Sequence, residues 1–375
     1  MNDKRPLDTL TIEGGRISLQ QLFFLCIIFV ISTADIFLPN YVADVAREDA
    51  WISVIIGTAA SMVTVWLACK LQLRVGRRNI VDSCDTLLGH ILGRIVSLLY
   101  IITFITIAAL IMRELNEIML NVFLMRTPIL AVSIAMILVA AYGAFHGLET
   151  FSRVSEILTP LGILILILVI LFNITDIQLK HFTPILYHGI MPSLHGGLLI
   201  FTWLSQVVII VFMVTPYLRE FDYRLTHVAV SSVAVLGIMM MLGVLAIAIF
   251  GPERTAKLIF PALYLVRNID IHDFIQRLDA FIFAIWVGGI TVKMIMMYYF
   301  SVLMTSQWFR IPSYKTIIPP IGVLIILISI VMFPNLHILN IFFRAILPYV
   351  AAIFAVFIPL LLLVISYRKN FNPKL

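Results

Sequence analysis

Asp279, Trp286 and Lys293 stand seven residues apart in FIQRLDAFIFAIWVGGITVKMIM, a run dominated by apolar residues. That spacing puts the three on one face of a helix. Asp279 and Lys293 would lie about 21 Å apart along it, too far to pair with each other. A lysine kept from water gives up its proton readily, which suits proton coupling; a salt bridge or snorkelling to an interface would hold it equally well. Two other apolar runs carry polar interruptions: Ser32, Thr33 and Asp35 ahead of Pro39 in FVISTADIFLPN, and Thr202, Trp203, Ser205 and Gln206 in GGLLIFTWLSQVV. Pro39 has no N–H to donate, and Ser and Thr bond nearby backbone. The first run therefore reads either as a broken helix lining a cavity or as a kinked helix with Asp35 near the headgroups. Groups of these types hold the polar ends of a small ligand, or bond helix to helix.

Two i,i+4 pairs are candidates for coupling or gating: Arg113–Glu117 in MRELNEIML and Glu149–Arg153 in GLETFSRVSEI. The alternatives are a structural pair near an interface and a lock at a helix end. Thr103 lies deeper on the same run as Arg113. No P-loop, G-x-G-x-x-G, H-E-x-x-H or G-x-S-x-G is present, so neither an enzyme nor a bound cofactor is expected. Cys26, Cys69 and Cys84 form no C-x-x-C, and His181, His188 and His195 are scattered through a polar loop, so no metal site is expected.

Those polar groups matter because of what surrounds them. The 375 residues are 62% hydrophobic and 12% charged, with mean hydropathy +1.07. A soluble domain carries about 25% charged residues. This composition excludes a cytosolic enzyme, a secreted disulfide scaffold and a disordered chain, and it requires an all-α integral membrane protein. The net charge of +6 then reads as membrane orientation, not as nucleic-acid binding. Residues 1–17 are polar and the apolar run after them has no small-residue cleavage pattern, so no cleaved signal is expected.

Ten apolar runs of spanning length occur, at roughly 18–41, 50–71, 95–122, 128–146, 154–173, 197–218, 226–250, 277–303, 315–333 and 339–367. The tenth exceeds a ~30 Å core and is expected to tilt or emerge. With the N-terminus in the cytoplasm, 16 of the 26 basic residues fall on the cytoplasmic side and six outside. That bias places both termini inside. The layout is one polytopic domain: a tail at 1–16, five spans in 17–173, an outer loop at 174–196, five spans in 197–367 and a tail at 368–375. Five plus five spans fit an inverted repeat, in which the first and sixth carry helix breaks and the ligand.

Several stretches together resemble the spore germination permease family, the B subunits of GerA-type germinant receptors within the amino acid–polyamine–organocation superfamily. They are RISLQQL (16–22), EDAWIS (48–53), RTP (126–128), HGLETFSRVSEI (146–157), FPALYLVRNIDIHDFIQRLDAFIFAIW (260–286) and IPLLLLVISYRK (358–369). The resemblance implies a ten-helix LeuT-like fold in the inner membrane of a spore, working with an A subunit and a lipoprotein C subunit. It implies that a small germinant, commonly an amino acid, binds between spans one, three, six and eight, near Ser32, Thr33, Asp35, Thr103, Thr202, Trp203, Ser205 and Gln206. The chain departs from the family pattern in having no Gly in the first-span break, Gln206 where Glu is common, and Asp279 in an RLE-like motif. Asp35 would compete with a ligand carboxylate or attract an ammonium. A proton-coupled amino acid permease, or a scaffold or pore, would share the fold.

Overall fold

The structure, a computed structural model, describes residues 14–269, 278–369 and 371, with side chains for 282 onward in the second stretch. The described residues form a helical bundle. The first ten helices are α1 (Leu19–Ala46), α2 (Ala50–Val75), α3 (Ile80–Leu88), α4 (His90–Ile118), α5 (Ile129–His146), α6 (Leu148–Phe172), α7 (Met191–Leu204), α8 (Val207–Val214), α9 (Arg224–Phe250) and α10 (Pro252–Lys257). They are followed by α11 (Pro261–Arg267), α12 (Leu278–Phe309), α13 (Ile318–Met332), α14 (Leu336–Ile341), α15 (Leu347–Ala351) and α16 (Ile358–Arg368).

Among the described residues, nine helical stretches are long and apolar enough to cross a membrane. The first, Leu19–Val75, has 57 residues, or about 85 Å of helix at ~1.5 Å per residue. It is two crossings joined by a tight turn at Arg47–Asp49, where Arg47 adopts φ 48. Ten crossings result, close to the runs expected from the sequence. The helix α3 was not anticipated: it reads as a loop in hydropathy because its nine residues carry Asp82 and Asp85 on the face away from Ile80, Val81, Cys84 and Leu87.

Local chemistry starts and stops these helices. Ser18 and Gln21 cap α1 reciprocally: Gln21 N donates to Ser18 Oγ at 3.2 Å, and Ser18 N donates to Gln21 Oε1 at 2.9 Å. Gly147, at φ 82, makes the turn that separates α5 from α6, a conformation costly for any residue with a Cβ. Asp222 sits ahead of α9 and accepts from Arg224 N and Nε at 2.8 Å each; these bonds hold its carboxyl below the usual carboxylate range.

The sixth span, Met191–Tyr217, is the centre, with 94% of its apolar window buried, and α6 belongs to the sheath, with 17%. The helix α2 packs most extensively on α7, and α9 on α1. One end of the bundle gathers the start and finish of the described chain. Ile17 N donates to Tyr217 O at 2.9 Å, Arg219 N to Ile17 O at 2.8 Å, and Lys369 Nζ to Leu87 O at 2.9 Å. The other end carries the loop after α6, pinned where Leu186 N donates to Asp49 Oδ1 at 2.9 Å, together with α10 and α11.

The polar interruptions resolve differently in the two halves. The helix α1 runs unbroken through Ser32, Thr33 and Asp35 with Pro39 inside it, so the break expected in the first span is absent. The sixth span does break, at Ser205–Gln206, where Gln206 N donates to Trp203 O and Ile209 N to Gln206 O in i→i+3 fashion. The tenth span is segmented: turns of π-helix at Phe342–Ile346 and Ala352–Phe357 separate α14, α15 and α16.

Candidate functional site

Lys293 comes from the middle of α12 and is 2% exposed. Its Nζ donates to Thr33 Oγ1 of α1 at 2.5 Å. The same ammonium lies 5.1 Å from the ring centroid of Phe29 and 5.1 Å from that of Trp203. One cation thus ties the first, sixth and eighth spans together. Each ring face is worth about 2 kcal/mol when desolvated. Its countercharge is Glu114 of α4, which is 1% exposed and interacts electrostatically with Lys293; both its oxygens are buried without a hydrogen-bond partner among the described residues. Sequence reasoning overlooked Glu114 in favour of its neighbours. The available signal was phase: it points about 100° from Arg113 and about 60° from Glu117, on the flank of their pair, and needs another partner.

Arg113 and Glu117 do form a buried ion pair on α4. Arg113 Nη2 also donates to Pro334 O at 3.3 Å, and Asn121 Nδ2 to Glu117 Oε2 at 2.9 Å, so the pair fastens α4 to the loop after α13. Glu149 and Arg153 pair at 2.6 Å on the surface, and Arg219 reaches the same carboxylate at 3.8 Å. The side chain of Asp279 lies outside the described residues.

The eight expected ligand-binding residues fall into three groups. Thr33 and Trp203 surround Lys293. Thr103, Thr202, Ser205 and Gln206 face a narrow cleft of about 20 Å³ between α4, the sixth-span break and the tenth span. Their hydroxyls are spoken for by their own helices: Thr103 Oγ1 donates to Leu99 O at 2.8 Å, Thr202 Oγ1 to Leu198 O at 2.7 Å and Ser205 Oγ to Thr202 O at 3.3 Å. Gln206 Oε1 is buried without a partner among the described residues. Ser32 and Asp35 line a larger cavity of about 160 Å³ between α1, α6, α9, α11 and α12.

At the far end of α1 a second polar cluster joins the first span to the tenth. Arg344 forms an ion pair with Asp44, donates from Nη2 to Asn40 Oδ1 at 3.2 Å, and stacks 4.9 Å from the Tyr41 ring centroid. Asn40 Nδ2 donates to Ala256 O at 2.7 Å and Leu258 O at 2.6 Å, and Tyr41 Oη to Asn340 Oδ1 at 2.7 Å. Sequence reasoning missed this clasp because its members sit about 300 residues apart.

The arrangement is a buried lysine and a buried glutamate at the crossing of spans one, three, six and eight, flanked by two cavities and closed at one end by a polar clasp. The fold is that of secondary transporters: it superposes on MhsT in complex with L-phenylalanine with a TM-score of 0.66 and 16% identity, covering 95% of this chain and 100% of that one. In sequence the chain is 28% identical to spore germination protein KB of Bacillus subtilis (strain 168), over 96% of each chain. It is 30% identical to YfkT of the same strain, over 90% of this chain and 92% of that protein. Residues 16–337 match the spore germination protein family along their whole extent. The chain belongs to the spore germination protein family, built on a LeuT-like transporter fold.

Proposed function

We propose that the chain is the nutrient-binding B-type subunit of a germinant receptor. On this reading it sits in the spore inner membrane with both termini cytoplasmic, binds a small germinant of the amino acid class, and signals with an A subunit and a lipoprotein C subunit. The observation that carries the reading is the family match over residues 16–337, which joins a ligand-binding transporter fold to proteins of spore germination. Binding would bias a two-state rocking of the bundle that partner subunits read. The test is germination of spores carrying or lacking this chain, with its A and C partners, against amino acids, sugars and nucleosides. A nutrient response lost on deletion and restored by complementation is expected. The absence of any response across the panel counts against the receptor.

A second reading, a proton-coupled amino acid permease, is favoured by one observation: Lys293 is a buried basic side chain in the eighth span, hydrogen-bonded to Thr33 of the first. Uptake of labelled amino acid into proteoliposomes, abolished in Lys293→Ala, would establish it; binding without uptake leaves the receptor.

A further inference from the structure

The 160 Å³ cavity shares no lining residue with the Thr103–Gln206 cleft. Its walls are apolar, with Ile31, Leu158, Leu166, Val169 and Phe283 among them. A space of about 150 Å³ with such walls holds a benzene-sized molecule. Five polar side chains line it, among them Arg267, which is exposed. Two are already engaged: Ser32 Oγ donates to Phe29 O at 3.5 Å and Thr159 Oγ1 to Phe24 O at 3.2 Å. Besides Arg267, the other two are buried and unengaged. Asp35 Oδ1 and Trp286 Nε1 are both buried without a hydrogen-bond partner among the described residues. Asp35 is an acceptor set in an apolar wall, where an uncompensated carboxylate is costly. The backbone keeps the space beside it clear. A Cβ on Gly243 would stand 3.6 Å from Asp35 Oδ1, and one on Gly289 would stand 3.3 Å from Ser32 Cβ.

We propose that this cavity binds a primary ammonium carried on a compact apolar body, with Asp35 as the ammonium's partner and the α6 and α12 side chains as the apolar walls. Trp286 Nε1 donates to an acceptor on the same ligand where there is one, as in a branched-chain amino acid. The inference deepens the receptor reading by naming a ligand class and its place; it rests on that reading for the response and not for binding.

Three probes separate the chemistry. L-leucine carries ammonium, carboxylate and a branched body; isoamylamine lacks the carboxylate; isocaproate lacks the ammonium. Added to the purified full chain, L-leucine and isoamylamine are expected to protect against thermal unfolding, and isocaproate is not. Asp35→Asn, which keeps the shape, weakens isoamylamine binding at least tenfold. Gly243→Leu fills the space beside the carboxylate and does the same, with its ligand-free unfolding temperature serving as the folding control. Repeating the isoamylamine titration in phosphatidylglycerol nanodiscs with and without phosphatidylethanolamine identifies the source. Equal binding assigns the site to a free amine, and competition assigns it to a lipid amine. Equal protection by isocaproate, or isoamylamine binding unchanged in both variants, overturns the proposal. Spores that ignore every nutrient while isoamylamine still binds overturn the receptor reading and leave the site standing.

Discussion

At the scale of single residues, Lys293 decides how the centre of the bundle holds together. An isolated charge at mid-bilayer costs about 2.5–3.5 kcal/mol on insertion scales, and here Thr33, two ring faces and Glu114 offset it. Removing one member strands the other. Lys293→Met, which keeps length and volume, is expected to lower stability by about 3–5 kcal/mol by leaving Glu114 buried without a cation. Lys293→Met combined with Glu114→Gln should recover most of that loss, because an apolar or neutral pair of similar volume is often as stable as the ion pair. Thermal unfolding of the four proteins in detergent reads this as a double-mutant cycle. A sum of single effects without recovery would mean that the two groups are not coupled. Lys293 was legible in the sequence, because a basic residue inside an apolar run is rare and needs a reason. Its partners were not. Thr33 lies 260 residues away, and no spacing rule connects residues on different helices.

At the scale of elements, close approach of α2 to α7 depends on the absence of side chains. A Cβ on Gly57 would meet Ile200 Cβ at 2.5 Å and Gly197 O at 2.6 Å, and one on Gly196 would meet Ser53 Oγ at 2.4 Å. Gly57→Val is expected to cost at least about 1–3 kcal/mol by forcing the most buried span outward, with lower yield and an earlier unfolding transition as the readout. The clasp between α1 and the tenth span behaves differently because it is partly exposed. Arg344→Lys retains the charge but loses the guanidinium fork that serves Asp44 and Asn40 together. We expect a stability change under about 1 kcal/mol. On the receptor reading, its effect is expected as a shifted nutrient concentration for half-maximal germination; a stability loss of several kcal/mol would show the clasp to be structural instead. Spans were legible as elements because length and hydropathy set them. The break in one polar stretch and not the other was not legible, since Ser32–Asp35 ahead of Pro39 leaves the same trace in sequence whether the helix kinks or parts. The structure keeps α1 whole, and it breaks the sixth span by nothing larger than a pair of tightened turns.

At the scale of the whole molecule, ten crossings put the start and finish of the described chain at one end, as the bias in basic residues requires. Sidedness is open to direct measurement because Cys26, Cys69 and Cys84 are all buried and leave little background. In a chain carrying Tyr187→Cys or Phe309→Cys, whose native residues are 75% and 61% exposed, an impermeant maleimide applied to sealed vesicles should reach one position and not the other. Labelling of both from one side would contradict the three crossings that separate them. The tenth span bears on how much length the bundle can absorb. A π-turn holds one residue more than the α-turn it interrupts while keeping the flanking segments in phase. Deleting one residue within Phe342–Ile346 should therefore convert that turn to regular helix and leave the faces on either side where they were. The same deletion in the regular α9 would swing every later side chain of that helix by about 100°. Tolerance to single-residue deletion should thus lie in the tenth span and in the π-turn Met119–Phe123 that ends the third, which makes these the places where chains of this fold can differ in length without losing register.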